Sequence, residues 1–348
     1  MNNKFFPSNF LFVTIMFMGS VLSLSSSHWL SMWMGLELNL MGFLPLMNIK
    51  GKMLEAEASM KYFIIQSLSS SVLILSSIML YYYNLSWYSM FMNNSIMIFI
   101  ILSLVLKLGG APMHFWLPSI TKKMTWIILF MLLTWQKLAP LLMLSLFNSG
   151  LHIILITSIL STLMGSLMAL NQTNLQLILT YSSISHLGWM MSIISINSTL
   201  SMIYFINYIL ISIPLLNIIS NSIGDHLFML TQKSNKNNII IMTLIMSLAG
   251  LPPMLGFMSK LIVIILLMDM YMIILSLTLF IGTLISLYFY LNMCLMVIIK
   301  SYMMLITPKH NKMYNSIISM NVFSVMIVYP ILIMIIKYAM TILYKPQS

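Results

Sequence analysis

The sequence predicts an all-α, polytopic membrane protein with about eleven transmembrane helices, two of which are discontinuous. Of its 348 residues, 60% are hydrophobic and only 6% are charged, and the mean hydropathy is +1.01. Apolar runs with few charges recur from Asn9 to Tyr344, and a bilayer core of about 30 Å needs about 20 apolar residues per helix. Most of the chain is therefore expected to lie in lipid, with no soluble domain left over.

Polar breaks divide the chain into successive spans. Their centres fall near residues 17, 38, 70, 106, 134, 160, 184, 208, 250, 284 and 330. The first apolar run, from about Phe10 to Leu24, lacks a small-residue cleavage site and is interpreted as a retained helix. All spans are assigned to one membrane-embedded domain, 1–348. Within it, spans one to five cover about 9–146, spans six to ten about 150–300, and a last span about 317–342.

Several classes of function are excluded by what the sequence lacks. The single Cys294 rules out disulfides and iron-sulfur ligation by this chain alone. No GxGxxG, P-loop or HExxH pattern is present, so nucleotide binding and metal-dependent hydrolysis have no support. The formal charge of +11 is spread without a basic run, which argues against nucleic acid as a partner.

Lysines in the loops predict the orientation, because positive residues favour the inner side of a membrane. They follow the second, fourth, eighth and tenth spans, at Lys50, Lys52, Lys122, Lys123, Lys233, Lys236, Lys300, Lys309 and Lys312. The alternate loops near 84–94, 145–150 and 196–199 carry none, and the loop near Asp269 carries only that acid. The N-terminus is expected inside and the C-terminus outside, although Lys337 and Lys345 depart from the pattern.

Ionisable residues inside the spans are the candidate functional groups. Four are strongly ionisable: Glu37, Lys107, Lys137 and Lys260. A charge at the bilayer centre costs roughly 2.5 to 3.5 kcal/mol on insertion scales, so such residues usually face a partner or a wet cavity. The alternative is that some lie near a span end and extend to the headgroups. His114 and His186 are weaker candidates, because a buried histidine is often only a helix contact.

Two helix-breaking motifs add specificity. GGAP interrupts the fourth span and GLPP the ninth; their residues are Gly109, Gly110, Pro112, Gly250, Pro252 and Pro253. If spans one to five are laid over spans six to ten, the broken span with Lys107 meets the broken span with Lys260, and the span with Glu37 meets that with His186. An offset of five spans reverses membrane direction, which predicts an inverted repeat typical of secondary transporters. Lys107 precedes its break, however, whereas Lys260 follows one.

These motifs resemble a known family over nearly the whole chain. The segments that carry the resemblance are WMGLELNLMGFLPL, LKLGGAPMHFW, TWQKLAP, YSSISHLGWM and LAGLPPMLGF. They are similar to NADH-ubiquinone oxidoreductase chain 2, a family of antiporter-like membrane subunits of respiratory complex I in animal mitochondria. The resemblance implies relatives with fourteen helices. About eleven fit this sequence, as in animal forms that lack the first three.

The resemblance implies a proton relay of Glu37, Lys107, His114, Lys137, His186 and Lys260. It also implies proton translocation coupled to NADH oxidation and ubiquinone reduction in other subunits, with FMN, iron-sulfur clusters and ubiquinone bound there and no cofactor in this chain. The implied partners are other membrane-arm subunits, including chain 4 and accessory subunits, together with phospholipids and ordered water. The implied location is the mitochondrial inner membrane, with the N-terminus in the matrix and the C-terminus in the intermembrane space.

Two alternatives stay open on the sequence: a stand-alone cation/proton antiporter, and a structural spacer that keeps the fold without transport. If the relay exists, Glu37 and Lys107 should form an ion pair or a water-bridged pair, because lone buried charges are costly. Lys137 should have few local partners, since apolar residues and Pro140 follow it. Pro140 should also free the carbonyl near residue 136 for a water beside the lysine.

Overall fold

The computed structural model describes residues 7–84, 94–147, 150–194, 196–220, 235–252 and 254–304. These residues form thirteen α-helices and no β-strand. Eight helical stretches among them are long and apolar enough to cross a membrane, with α6 and α7 counted as one, and two shorter apolar helices accompany them. The predicted all-α membrane fold is thus confirmed. The last predicted span, about 317–342, lies outside the described residues.

The chain divides into two compact units, Met1–Met202 and Ile203–Ser348. The helices of the first unit are α1 (Pro7–Ser25), α2 (Trp29–Met47), α3 (Met53–Asn84), α4 (Asn94–Leu108), α5 (Trp116–Thr121), α6 (Trp126–Leu133), α7 (Trp135–Leu144), α8 (Leu151–Ala169) and α9 (Leu175–Ile194). Helix α10 (Ser198–Ser220) begins just before the boundary, and the second unit continues with α11 (Asn235–Ala249), α12 (Leu255–Asp269) and α13 (Ile273–Met304).

Close backbone packing fixes α2 against α1. Gly19 on α1 and Gly35 on α2 lie so close that a Cβ on Gly19 would fall 2.8 Å from the Gly35 carbonyl oxygen. Gly42 approaches the backbone of Met16 in the same way. Small residues allow membrane helices to pack at this distance, where dispersion contacts replace the missing hydrophobic drive. This packing sets the position of α2, which carries Glu37.

Both predicted helix interruptions are present. The fourth span consists of α4, a non-helical stretch at 109–115, and the short helix α5. The ninth span consists of α11, which ends at Ala249, and α12, which begins at Leu255. Pro253 lies outside the described residues.

A third interruption was not predicted. The fifth span is divided at Thr134 into α6 and α7, so treating it as a continuous helix was wrong. Pro140 lies inside α7 and removes the N–H that would reach the Gln136 carbonyl, so its direct effect falls two residues beyond the break. At the break itself, the Thr134 hydroxyl donates to the Phe130 carbonyl at 2.8 Å, a local bond that often bends helices. The distortion falls in the turn immediately before Lys137.

Candidate functional site

The first interruption closes α4 with a glycine-dependent turn. Gly109 has φ +73°, and its N–H donates to the Leu106 carbonyl at 3.1 Å. The N–H of Gly110 donates to the Val105 carbonyl at 3.0 Å. This pair of bonds is a Schellman motif, in which a residue of positive φ ends the helix and satisfies two of its last carbonyls. Lys107 is therefore placed in the final turn of α4, one residue before the helix ends.

Neutral side chains add to the capping of this helix end. The Trp116 indole N–H donates to the Leu106 carbonyl at 3.1 Å. The Gln66 amide donates to the Lys107 carbonyl at 3.4 Å. Both bonds reach carbonyls in the last turn, where a helix has acceptors without intrahelical donors. The ammonium of Lys107 makes neither of these bonds.

Lys107 instead lines a small cavity in the first unit. Its side chain is 7% exposed. The cavity has a volume of about 10 Å³, and its polar wall is formed by Asn39, Tyr62, Gln66, Lys107 and Gln136. About that volume is needed to hold one water molecule, provided that polar partners line it. The arrangement can therefore solvate the ammonium of Lys107 inside the protein.

Glu37 acts on Lys107 electrostatically, without direct contact. The Glu37 carboxylate on α2 attracts the positive charge of Lys107 on α4. Among the described residues, however, the salt bridges involve Glu57 with Lys61 and Lys123, and Glu37 and Lys107 do not form one. Glu37 and Lys107, both described, therefore do not form the expected direct ion pair. A water-bridged pair stays a prediction.

A polar cluster of Asn39, Tyr62 and Gln136 forms one wall of the cavity. The side-chain amides of Asn39 and Gln136 bond reciprocally, each NH₂ donating to the other's oxygen at 3.1 Å. The Tyr62 hydroxyl also donates to the Gln136 amide oxygen, at 3.3 Å. The cluster joins α2, α3 and α7 next to Lys107. This cluster was not predicted, although polar residues within apolar spans were the signal that could have identified it.

Lys137 is the most deeply buried of the site lysines, at 2% exposed. Its Nζ donates to the Ser183 carbonyl on α9 at 3.2 Å. The expectation of few partners thus holds within its own helix, but a neighbouring helix supplies an acceptor. A carbonyl is uncharged, so it solvates the ammonium without the lasting attraction of a carboxylate.

The two histidines occupy different surroundings. His186 lies on α9, three residues beyond Ser183, and is 6% exposed. His114 lies in the non-helical stretch after α4 and is 1% exposed, stacked on Phe115 with ring centroids 4.3 Å apart. Neither ring nitrogen of His114 makes a hydrogen bond of good geometry to a described residue, although the Pro112 backbone interacts with the ring. Lys107, Lys137, His114 and His186 therefore all lie in the first unit.

The second interruption has the same backbone geometry as the first. Gly250 has φ +81°, its N–H donates to the Ser247 carbonyl at 3.2 Å, and the Leu251 N–H donates to the Met246 carbonyl at 3.3 Å. This is again a Schellman motif. Lys260 on α12 is 6% exposed and directs its Nζ to the end of α11. No cluster of three or more metal-ligating side chains occurs among the described residues.

Comparison with known proteins identifies a family model and close relatives. The family model described as NADH:quinone oxidoreductase/Mrp antiporter, TM, matches residues 26–286. NADH-ubiquinone oxidoreductase chain 2 of Anopheles gambiae is 38% identical over 329 residues, which cover 91% of this chain and 95% of the relative. The same chain from Lumbricus terrestris is 36% identical and covers 82% and 85% of the two sequences.

Solved structures of membrane complexes have the same fold. A chain of respiratory complex I from Thermus thermophilus has a TM-score of 0.78 at 23% identity, covering 85% of this chain and 71% of that one. A chain of the Mrp complex from Dietzia has a TM-score of 0.74 at 18% identity, covering 81% and 59%. At these identities the likeness establishes the fold.

Proposed function

Because the chain belongs to the NADH:quinone oxidoreductase/Mrp antiporter membrane family, and within it to NADH-ubiquinone oxidoreductase chain 2, we propose that its buried lysines conduct protons through the membrane. Membership makes the chain a subunit of an enzyme complex, NADH:ubiquinone reductase. The observation that carries the proposal is the burial of three lysines in apolar helices, each at least nine-tenths hidden. Buried charges of this kind are costly and mark ion or proton pathways.

The relay begins with Glu37 and Lys107. Attraction by the carboxylate favours the charged lysine, and the cavity beside Lys107 supplies polar groups and room for a water molecule. If motion elsewhere in the complex separates Glu37 from Lys107, the charged lysine loses that support. Its proton then moves towards Lys137, whose neutral amine accepts it. Burial favours release of the proton from Lys107, because it disfavours the charged form of lysine.

The path continues through the two histidines to Lys260. His186 and His114 serve as relay groups with ordered water, since imidazole both accepts and donates a proton. Lys260 either receives the proton or signals by its charge to the neighbouring subunit. The two Schellman motifs, with Gly109 and Gly250 in corresponding positions, support an inverted repeat of spans one to five and six to ten.

The redox chemistry belongs to other subunits. We infer that FMN, iron-sulfur clusters and ubiquinone are bound there and that this chain binds no cofactor. Its partners are other membrane-arm subunits, including chain 4 and accessory subunits, with phospholipids around the exposed apolar faces.

The location is the mitochondrial inner membrane, with the N-terminus in the matrix and the C-terminus in the intermembrane space. One contact supports the orientation. Glu57, near the start of α3, binds Lys123 in the connection between α5 and α6, so two of the lysine-containing connections lie on the same side. Loop residues on the opposite side, including Asn93 and Ser149, lie outside the described residues.

Two other functions make different predictions. A stand-alone cation/proton antiporter would not copurify with flavin and iron-sulfur centres, and membership of chain 2 argues against it. A structural spacer would keep the fold while its lysines could be neutralised without effect on transport. The spacer is therefore the alternative that the decisive experiment has to exclude.

The experiment is Lys137→Met in the complete complex, reconstituted in vesicles. Methionine keeps the apolar stem and removes the charge, so assembly on a native gel should be retained while protons translocated per NADH oxidised fall markedly. Lys122→Met is the matched control, because Lys122 is exposed and loses the same charge. An unchanged proton ratio in the assembled Lys137→Met complex would establish the spacer instead.

A further inference from the structure

The ammonium of Lys260 lies at the C-terminal end of α11, although the residue itself belongs to α12. Its Nζ donates to the Ala249 carbonyl at 2.9 Å and to the Leu248 carbonyl at 3.4 Å. The Schellman bonds of this helix end use the carbonyls of Met246 and Ser247. The last two carbonyls therefore remain without backbone donors of that motif, and Lys260 reaches both of them. Its positive charge also suits the negative pole of the helix dipole.

Gly250 provides the space for this contact. A Cβ at position 250 would lie 2.9 Å from the Lys260 Nζ, 3.0 Å from Cδ and 3.2 Å from Cε. Such a Cβ would crowd the whole outer half of the lysine side chain. Any other residue would thus force the outer part of the Lys260 side chain to shift from this position. The glycine is needed here for close approach as well as for its positive φ.

The number of hydrogens on the lysine nitrogen gives this geometry a chemical consequence. An ammonium has three N–H donors, and two of them point to the Leu248 and Ala249 carbonyls. When the third hydrogen leaves, one N–H bond breaks, its electron pair stays on nitrogen, and a water molecule takes the proton to become hydronium. The neutral amine keeps two N–H groups, which is the number that the two carbonyls require. The reverse step reloads the lysine from hydronium.

We propose that Gly250 is the positioning residue for proton exchange at Lys260. It lets the end of α11 hold two hydrogens of the ammonium in both protonation states, and it leaves the third to exchange with water. The cap thus stays closed through the exchange. The role of this exchange in transport rests on the proposed function, which places Lys260 on the proton path.

The test compares two glycine variants in the complete complex. Gly250→Ala introduces a Cβ beside Lys260, whereas Gly51→Ala introduces one at a similar φ of +63° with nothing within 4 Å. Both variants carry the strain of a left-handed alanine. Gly250→Ala should lower the protons translocated per NADH, and Gly51→Ala should not. Equal effects of the two variants would overturn the proposal. Gly250→Asn repeats the test with a residue that tolerates positive φ, should the alanine variant not assemble.

A double-mutant cycle separates positioning from a merely structural role. If Gly250 acts through Lys260, then Gly250→Ala should cause no further loss in a Lys260→Ala background. Additive losses would overturn the proposal. If Lys260→Ala alone leaves the proton ratio unchanged while Lys137→Met lowers it, the proposed function stands and the role of Gly250 fails. If Lys137→Met also leaves the ratio unchanged, the proposed function itself fails.

Discussion

After α4 and after α11, the chain turns through a glycine of positive φ, and the same two backbone bonds close both helix ends. The side-chain caps differ. At the first end, Gln66 and the Trp116 indole bond to carbonyls of the last turn. At the second end, Lys260 bonds to the last two carbonyls itself. The same backbone motif thus occurs beside two lysines that have different roles.

The difference goes with the positions of the two lysines, because Lys107 precedes its break and Lys260 follows one. Neutral caps leave the ammonium of Lys107 available to the cavity and to Glu37. Lys260 lies beyond the break, and from the next helix its side chain reaches back to the end of α11. We therefore infer that charge on Lys107 responds to a carboxylate, whereas charge on Lys260 responds to a helix end.

The largest expected difference between the two interruptions is the effect of neutralising their lysines on local stability. Lys260→Met should leave two buried carbonyls without a side-chain donor, and each such loss costs about 1–3 kcal/mol. Lys107→Met should leave its helix end intact, because Gln66 and Trp116 remain. Hydrogen exchange of the assembled complex measures this at the amides of Gly250 and Leu251, where roughly tenfold faster opening corresponds to 1.4 kcal/mol.

The control is the corresponding pair of amides, Gly109 and Gly110, in the Lys107→Met complex. Their exchange should stay close to that of the unmodified complex. Equal acceleration at both interruptions would mean that the two lysines play the same structural part, and the comparison would fail.

Much of the fold and some of the site could be predicted from sequence. Low charge and recurrent apolar runs were enough for the all-α membrane class and for the approximate span positions. GGAP and GLPP located the first and second interruptions, since glycine and proline act on the local backbone. The cost of burying charge identified Lys107, Lys137 and Lys260 as exceptional.

The partners of these residues could not be predicted. The amide pair of Asn39 and Gln136 joins residues 97 positions apart, and Lys137 finds its acceptor 46 positions away on α9. In an amphipathic soluble helix the polar face shows which side meets water, but helices that are apolar all round give no such signal. The break at Thr134 was missed because a threonine inside an apolar run gives no strong sequence signal, and whether its hydroxyl bonds back to the preceding turn depends on the folded structure.

A smaller effect is expected from Trp116→Phe at the first interruption. The Leu106 carbonyl would lose the indole donor but keep the Gly109 N–H, so the helix end should be weakened by only about 0.5–1.5 kcal/mol. Exchange of the Gly109 amide measures the change. Trp33→Phe is the matched control, because the Trp33 indole N–H has no hydrogen-bond partner among the described residues. If both variants exchange alike, the indole contributes nothing to the cap.

The smallest effect should come from Gln66→Leu. The Gln66 amide bonds to the Lys107 carbonyl at 3.4 Å, near the limit of hydrogen bonding, and leucine fills a similar space, so the cost should stay below about 1 kcal/mol. Gln176→Leu calibrates the measurement, because Gln176 makes the same kind of buried bond to the Met124 carbonyl at 2.9 Å. Exchange at Gly109 and Gly110 should therefore change less in Gln66→Leu than exchange near Met124 does in Gln176→Leu.

Gln66 also lines the cavity with Lys107. If Gln66→Leu lowers the protons translocated per NADH without faster amide exchange, Gln66 acts by solvating Lys107. If exchange at Gly109 is instead faster in Gln66→Leu than in Trp116→Phe, Gln66 is the main cap, and the order of effects proposed for the first interruption is reversed.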